Sequence, residues 1–299
     1  ARQFLQDVRE HAALLLERGP GEYGFIHLTF EEYLSAVALA LKGQGDAAPI
    51  ADTLIKHVGE QAWREMTLLT IGFLGIRQQL LKVSGEVVER LVKAKTGAPG
   101  EAVILAGDAV LDTWPSGVPL QSKERVVQAL APTMQNPDVH PDLRRRAGLL
   151  LGRLGWRPPD LDRFMEVAAG EFLFGAKKEK MKVTDRFWVS KYPVTNAQYA
   201  RFVQAGGYQT RSFWSDMGWA WRSGKYDERT MEAVERDWLD HRPQARRNAP
   251  YFWHNIELGN PIFPVVGISW FEAEAYCNWL AKNVVAVPEG YTVRLPDTL

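Results

Sequence analysis

A single cysteine, Cys277, stands in 299 residues, so an intrachain disulfide is excluded. That scarcity points to a reducing, cytoplasmic setting. Charge of either sign is not in excess, since 36 Lys and Arg balance 36 Asp and Glu. A broad phosphate-binding face is therefore not expected, and neither is a nucleic acid partner. No apolar run approaches the roughly 18 residues of a membrane-spanning helix. The opening ARQFLQDVRE is charged and amphipathic, unlike a secretory signal. No membrane association is expected. The chain does not begin with Met, which fits a fragment or a processed product.

Several chemical signatures are missing as well. There is no G-x-x-x-x-G-K-[ST], no H-E-x-x-H, no paired C-x-x-C and no G-x-S-x-G. GWAWRSGKY (218–226) has one residue too many between its glycines, and Tyr226 where a Mg²⁺-binding hydroxyl is needed. Residues 11, 27, 57, 140, 241 and 254 are histidines without metal-ligand spacing.

What is present falls into two parts, as the length suggests. Residues 1 to about 155 are rich in Ala, Leu, Val, Glu and Arg. Their helical periodicity is interrupted at GPGEYG, KGQGD, KTGAPG, DTWPSGVP and QNPDVHP. Helices are expected near 59–82, 84–95, 100–113, 122–134 and 141–154, as a bundle or an irregular repeat. Within FIHLTFEEYLSA (25–36), Thr29 and Glu32 have the spacing of a capping box. Phe30, Tyr33, Leu34, Val37, Ala38 and Leu41 then read as one buried apolar face. His27 precedes that helix; it either pins the turn or serves as a nucleotide-sensing or interdomain contact.

Pro158 and Pro159 mark a boundary in LGWRPPDLD (154–162). From Trp156 onward lie nine of the eleven Trp, together with frequent Gly, Pro and Asn. Strand-like runs occur at 164–175, 186–194 and 263–269. Thr195 to Gln198 and Ser269 to Glu272 each read as a capping box opening a short helix. The second part is thus α+β with much irregular, aromatic-stapled loop. Cys277 lies on the apolar side of its helix. It is either a small buried hydrophobe with an inert thiol, or a nucleophile or copper ligand.

The aromatic runs 208–226 and 249–255 combine rigid rings with Arg, Asp and Ser. That composition suits a recognition surface, and also suits rings that staple a loop-rich core. Trp214, Trp219, Trp221, Arg222, Trp253 and His254 are the candidate ligand-binding residues. The mixed-charge stretch 225–247 reads as a solvated, partly helical insertion, with QARRN a candidate anion contact.

The phrases FMEVAAGEFLFG, VSKYPVTNAQYARFVQAGGY, FWSDMGWAW, NPIFPVVGISWFEAEAYCNWLA and YTVRLPDTL occur in that order. Together they resemble the formylglycine-generating enzyme (sulfatase-modifying factor) family. The resemblance implies a C-type-lectin-like α+β domain over 163–299, incomplete at its C-terminus. Enzymes of that family bind Cu(I) through two cysteines in a later portion; no position here matches them, and Cys277 matches a different family position. A Ca²⁺ site is compatible with such a fold, but no E-P-N or Q-P-D lectin signature is present.

Residues Phe25, His27, Thr29, Phe30, Tyr33 and Ala36 resemble the segment closing the NTPase module of NACHT-type STAND proteins. This implies that 1–42 end such a module, with ATP bound only on an upstream NTPase. Residues 43–157 would be an α-helical, HEAT-like or irregular connector. The implied function is non-catalytic recognition of an unknown protein or peptide ligand. Its setting would be a signalling protein, in phage defence or as a variable protein of a diversity-generating retroelement. The alternative is a copper-dependent oxidase with its cysteines beyond Leu299.

Overall fold

The computed structural model describes residues 15–225, 242–283 and 289–296. It is a mixed α+β structure in two compact units, Ala1–Trp156 and Arg157–Leu299, each with its own buried core. Among the described residues no helix is long and apolar enough to cross a membrane.

The described part of the first unit begins with a hairpin of β1 (Leu15–Gly19) and β2 (Glu22–Phe25), paired antiparallel. Pro20 and Gly21 turn the chain, and Gly21 supplies the positive φ of 80° that a type II turn requires. Seven helices follow. They are α1 (Leu28–Lys42), α2 (Ala47–Lys56), α3 (Gln61–Gly72), α4 (Leu81–Lys93), α5 (Glu101–Thr113), α6 (Leu120–Gln135) and α7 (Pro141–Arg153). Each packs on the next helix but one: α1 on α3, α2 on α4, α3 on α5, α4 on α6 and α5 on α7. The result is two interleaved rows of helices with the apolar core between them.

Two expectations fail at α1. The Thr29–Glu32 capping box does not form, because His27 is the extended N-cap residue and no side chain caps the helix. Thr29 is already two positions inside, where its backbone is helical. The expected apolar face is also turned outward: Phe30, Tyr33, Leu34 and Leu41 are 38–55% exposed. Ala36 and Ala40 are buried instead. Small side chains let α1 lie close against α3, and closeness outweighs side-chain size at that contact.

The helix expected over 59–82 is broken after Gly72 by a π turn, Phe73–Arg77, closed by Gln78 N–H to Phe73 C=O at 2.9 Å. Gln79 then takes a left-handed φ of 57°. Gly75 lies so close to Gly117 that an added Cβ would stand 1.8 Å from its carbonyl oxygen. Thr67, Thr70 and Thr113 are buried and return their hydroxyls to the carbonyls four residues back, at 2.7–2.8 Å. Asp108 accepts from both Arg64 and Arg146, at 2.8 and 2.7 Å, which ties α3 and α7 to α5.

The second unit pairs β3 (Phe164–Val167) with β6 (Phe187–Ser190), and β4 (Gly170–Phe174) with β5 (Glu179–Val183), both antiparallel. Among the described residues its α-helices are α8 (Asn196–Gln204), α9 (Asp216–Arg222) and α10 (Trp270–Asn283). The strand expected at 263–269 is replaced by one isolated bridge between Thr195 and Pro264. Pro264 offers no N–H, and Gly267 at φ 72° turns the chain out of line. Asn196 anchors this segment, giving its side-chain amide to Leu258 and Asn260 carbonyls at 2.8 and 3.0 Å.

Gly75→Ala must push the π turn away from Gly117. The variant is expected to lose about 1–3 kcal/mol, read as a lower urea midpoint of the far-UV signal.

Candidate functional site

Thr195 caps α8 through a reciprocal box with Gln198. Tyr199 and Phe202 then fall on its inner side, both fully buried. Ser215 caps α9, accepting from Gly218 N–H at 3.3 Å and donating to Glu274 on α10 at 2.6 Å. Along α9 the rings of Trp219 and Trp221 diverge: Trp221 is buried and Trp219 is half-buried. The core so assembled is almost entirely aromatic: Tyr199, Phe202, Tyr208, Trp214, Trp221, Tyr276 and Trp279. Contacting ring centroids within it lie 5.2–6.4 Å apart, in the range where offset and edge-on pairs attract.

One carboxylate is sealed inside this core. Glu272 forms the capping box with Ser269, accepting Ser269 N–H at 2.7 Å while Ser269 Oγ accepts Glu272 N–H at 3.3 Å. The same carboxylate accepts Nη1 and Nη2 of Arg242, at 2.8 and 2.5 Å, and the Tyr208 hydroxyl at 2.5 Å. The Tyr208 oxygen is 3.2 Å from the Tyr199 hydroxyl. Glu272 is 0% exposed and Arg242 4%. Burial raises the Tyr208 hydroxyl far above its ordinary pKa, with Tyr199 and Glu272 adding to it. Burial alone would lower Arg242, but hydrogen bonding to and attraction by Glu272 outweigh it and hold the guanidinium above its usual value.

The candidate residues divide on this geometry. Trp214 and Trp221 are core side chains rather than surface contacts, 4% and 7% exposed. Trp214 gives its indole N–H to Gly207 C=O at 2.9 Å. Trp221 is flanked by Arg242 and Arg247, 5.3 and 5.4 Å from its ring. Trp219 and Arg222 are half-buried neighbours on α9. Trp253 is half-buried and packs edge-on to Tyr199 at 6.1 Å, and His254 is exposed. The six therefore do not form one surface.

Arg242 and Arg247 are corrections to the solvated reading of 225–247: both are buried. Arg247 donates to Arg242 C=O at 2.9 Å and Trp221 C=O at 2.6 Å. A guanidinium can staple loops where no strand or helix does so. The intervening 226–241, which make up most of the expected insertion, lie outside the described residues. A shallow hollow of about 290 Å³ is lined in part by Arg157, Leu161, Asp162 and Arg201. Arg201 is engaged there with Asp162 at 2.9 Å.

Residues 156–299 match the family described as "Sulfatase-modifying factor enzyme 1-like domain". The matched residues are those of the C-terminal unit together with Trp156. Its relatives include a hercynine oxygenase of Mycolicibacterium thermoresistibile, 33% identical over 33% of this chain and 20% of the relative. A formylglycine-generating enzyme of Bos taurus is 28% identical over 44% of this chain and 38% of its own length. An inactive C-alpha-formylglycine-generating enzyme 2 of Bos taurus is 28% identical over 33% and 34%. The chain thus spans from a fifth to under two-fifths of these three relatives.

The copper that the family resemblance implies does not fit the donor set of this chain. Cu(I) favours paired thiolates, and Cys277 is the one cysteine. Burial, with a contribution from Glu274, pushes its thiol up to about 11. Among the described residues no group of three His, Cys, Asp or Glu converges as a metal site, Ca²⁺ included.

Two measurements check this site. Glu272→Gln leaves Arg242 buried without its counter-charge and is expected to cost about 3–5 kcal/mol. Tyr208→Phe removes one donor and should cost about 1–3 kcal/mol. Both are read by thermal or urea unfolding of the near-UV aromatic signal. Alkylation of Cys277 should be slow near neutral pH, with about a hundredfold less thiolate than an unshifted thiol. Its rate should rise tenfold per pH unit up to the raised pKa.

Proposed function

We propose that this chain is a recognition module that binds a protein or peptide ligand without turning it over. The observation that carries this reading is the closed core of the second unit. Its most polar constellation is shut away from solvent: Glu272 accepts from both Nη atoms of Arg242 and from Tyr208, and Arg242 Nε is left without a partner. Its cysteine is held as a thiol by burial. Similarity to a relative named as inactive agrees with a domain used for binding.

In this reading the second unit has the C-type-lectin-like fold of its family. Residues 1–42 close the NTPase module and 43–157 are a HEAT-like or irregular connector, in a NACHT-type STAND signalling protein acting in phage defence or as a retroelement-diversified binder. Support comes from the segment 25–36 and from α1, whose exposed Phe30, Tyr33, Leu34 and Leu41 are the surface an NTPase module would cover. A ligand switches such a protein only by binding one conformational state better than the other. ATP belongs to the NTPase, and a cytoplasmic location follows from the signalling role.

A second reading is favoured by the names of two relatives, a hercynine oxygenase and a formylglycine-generating enzyme. It makes the full polypeptide a copper-dependent oxidase of peptide cysteine, with its metal ligands outside this chain. One assay separates the two. The full-length polypeptide is incubated with Cu(I), oxygen and a cysteine-containing sulfatase peptide, and the peptide is followed by mass. Unchanged peptide is the expected outcome; an aldehyde product would establish the oxidase.

A further inference from the structure

At the C-terminal end of α9, Arg222 lies with its guanidinium 5.7 Å from the Trp219 ring centroid. Arg211 sits at the same distance from that ring. The two cations are not equivalent. Arg211 is neutralised by an ion pair with Asp216 and donates to Trp214 C=O at 2.5 Å. Arg222 meets no carboxylate among the described residues, and its Nε is buried without a hydrogen-bond partner. Partial burial lowers its pKa, with Tyr208 opposing the shift, and the guanidinium stays half-buried at the surface.

A simpler role would be to cap the helix, where a cation in the last turn favours the dipole. The last-turn carbonyls do not need it. Trp219, Ala220 and Trp221 C=O already accept Ser223, Lys225 and Gly224 N–H at 2.8–3.2 Å. Trp221 C=O also accepts Arg247. Further positive charge stands close by in the fold. Exposed Lys225 follows Arg222, and the turn Gln244–Arg246 lies against Gly224, with Gln244 Oε1 3.2 Å from where a Cβ there would sit. Arg246, at the end of that turn, is exposed.

We propose that Arg222 is the anion-binding residue of a carboxylate subsite, held in place by Trp219 and flanked by Lys225 and by the turn that carries Arg246. A guanidinium edge matches the two oxygens of a carboxylate, and the bidentate pair is strong where water is thin. The natural source is an Asp or Glu side chain, or the C-terminus, of a peptide ligand. The subsite deepens the recognition reading, but it is a property of binding and stands whether or not the domain also catalyses.

The test is an NMR titration of the ¹⁵N-labelled chain with acetate at constant ionic strength. The Arg222 Nε–H peak is assigned by its loss in Arg222→Lys. Acetate is expected to shift this peak and the Trp219 indole N–H saturably, with chloride giving no saturable change. Arg222→Gln should weaken acetate at least about tenfold, with the buried Trp214 indole peak unmoved as proof of folding. Arg222→Lys should lose most of the affinity, because an ammonium lacks the planar fork. Inorganic phosphate is the second arm. Phosphate binding with acetate silent would overturn the carboxylate assignment. No saturable shift with either, or full acetate affinity in Arg222→Gln, would overturn the subsite. Each of these failures leaves the peptide-oxidation result untouched, so the two proposals fall separately.

Discussion

The second unit depends on one carboxylate. Glu272 begins as a helix cap and ends as the acceptor for a backbone amide, a guanidinium and a phenol at once. Burying a charge so completely is costly unless every lone pair is satisfied. Here the satisfaction brings together segments far apart in sequence: α10, the turn at 206–208 and the loop containing Arg242. Among the described residues the unit has little regular ladder structure to hold such loops, since its sheets are two-stranded. Buried arginines take that role. Arg242 bonds to Ala249 C=O as well as to Glu272, and Arg247 bonds to Arg242 and Trp221 carbonyls.

Much of this architecture was legible in the sequence where local rules act. The helices expected at 84–95, 100–113, 122–134 and 141–154 correspond to α4 through α7. The boxes at Thr195 and Ser269 form because cap and partner lie within one turn. What escaped was decided by distant contacts. The outward face of α1 reflects how closely alanines let it approach α3, which periodicity alone does not weigh. The π turn depends on Gly117, more than three dozen positions downstream. A run of charged residues gives no strand signal either: β5, Glu179–Val183, is mostly exposed and polar, and forms by pairing with β4.

The site was less legible than the fold. Aromatic composition marked the right region but did not separate core from surface. Trp219 and Trp221 are two residues apart on a helix, and their exposures differ because α10 covers one side of α9. Arg242 stands in a run of mixed charge that reads as solvated. Only the fold shows that Glu272, thirty residues on, awaits it. No rule of spacing pairs an arginine in a loop with a glutamate at a helix start.

The staggered rows of the first unit have a kinetic meaning. Its principal helix contacts join elements no more than two apart in chain order, so closing them never requires a long stretch of unfolded chain to be brought together. Such an arrangement can nucleate in any neighbouring trio and grow outward, and under stress it can fray from an end while the middle holds. Asp108, bridged to Arg64 and Arg146, fastens three helices at its centre, and marks where the last protected amides should lie.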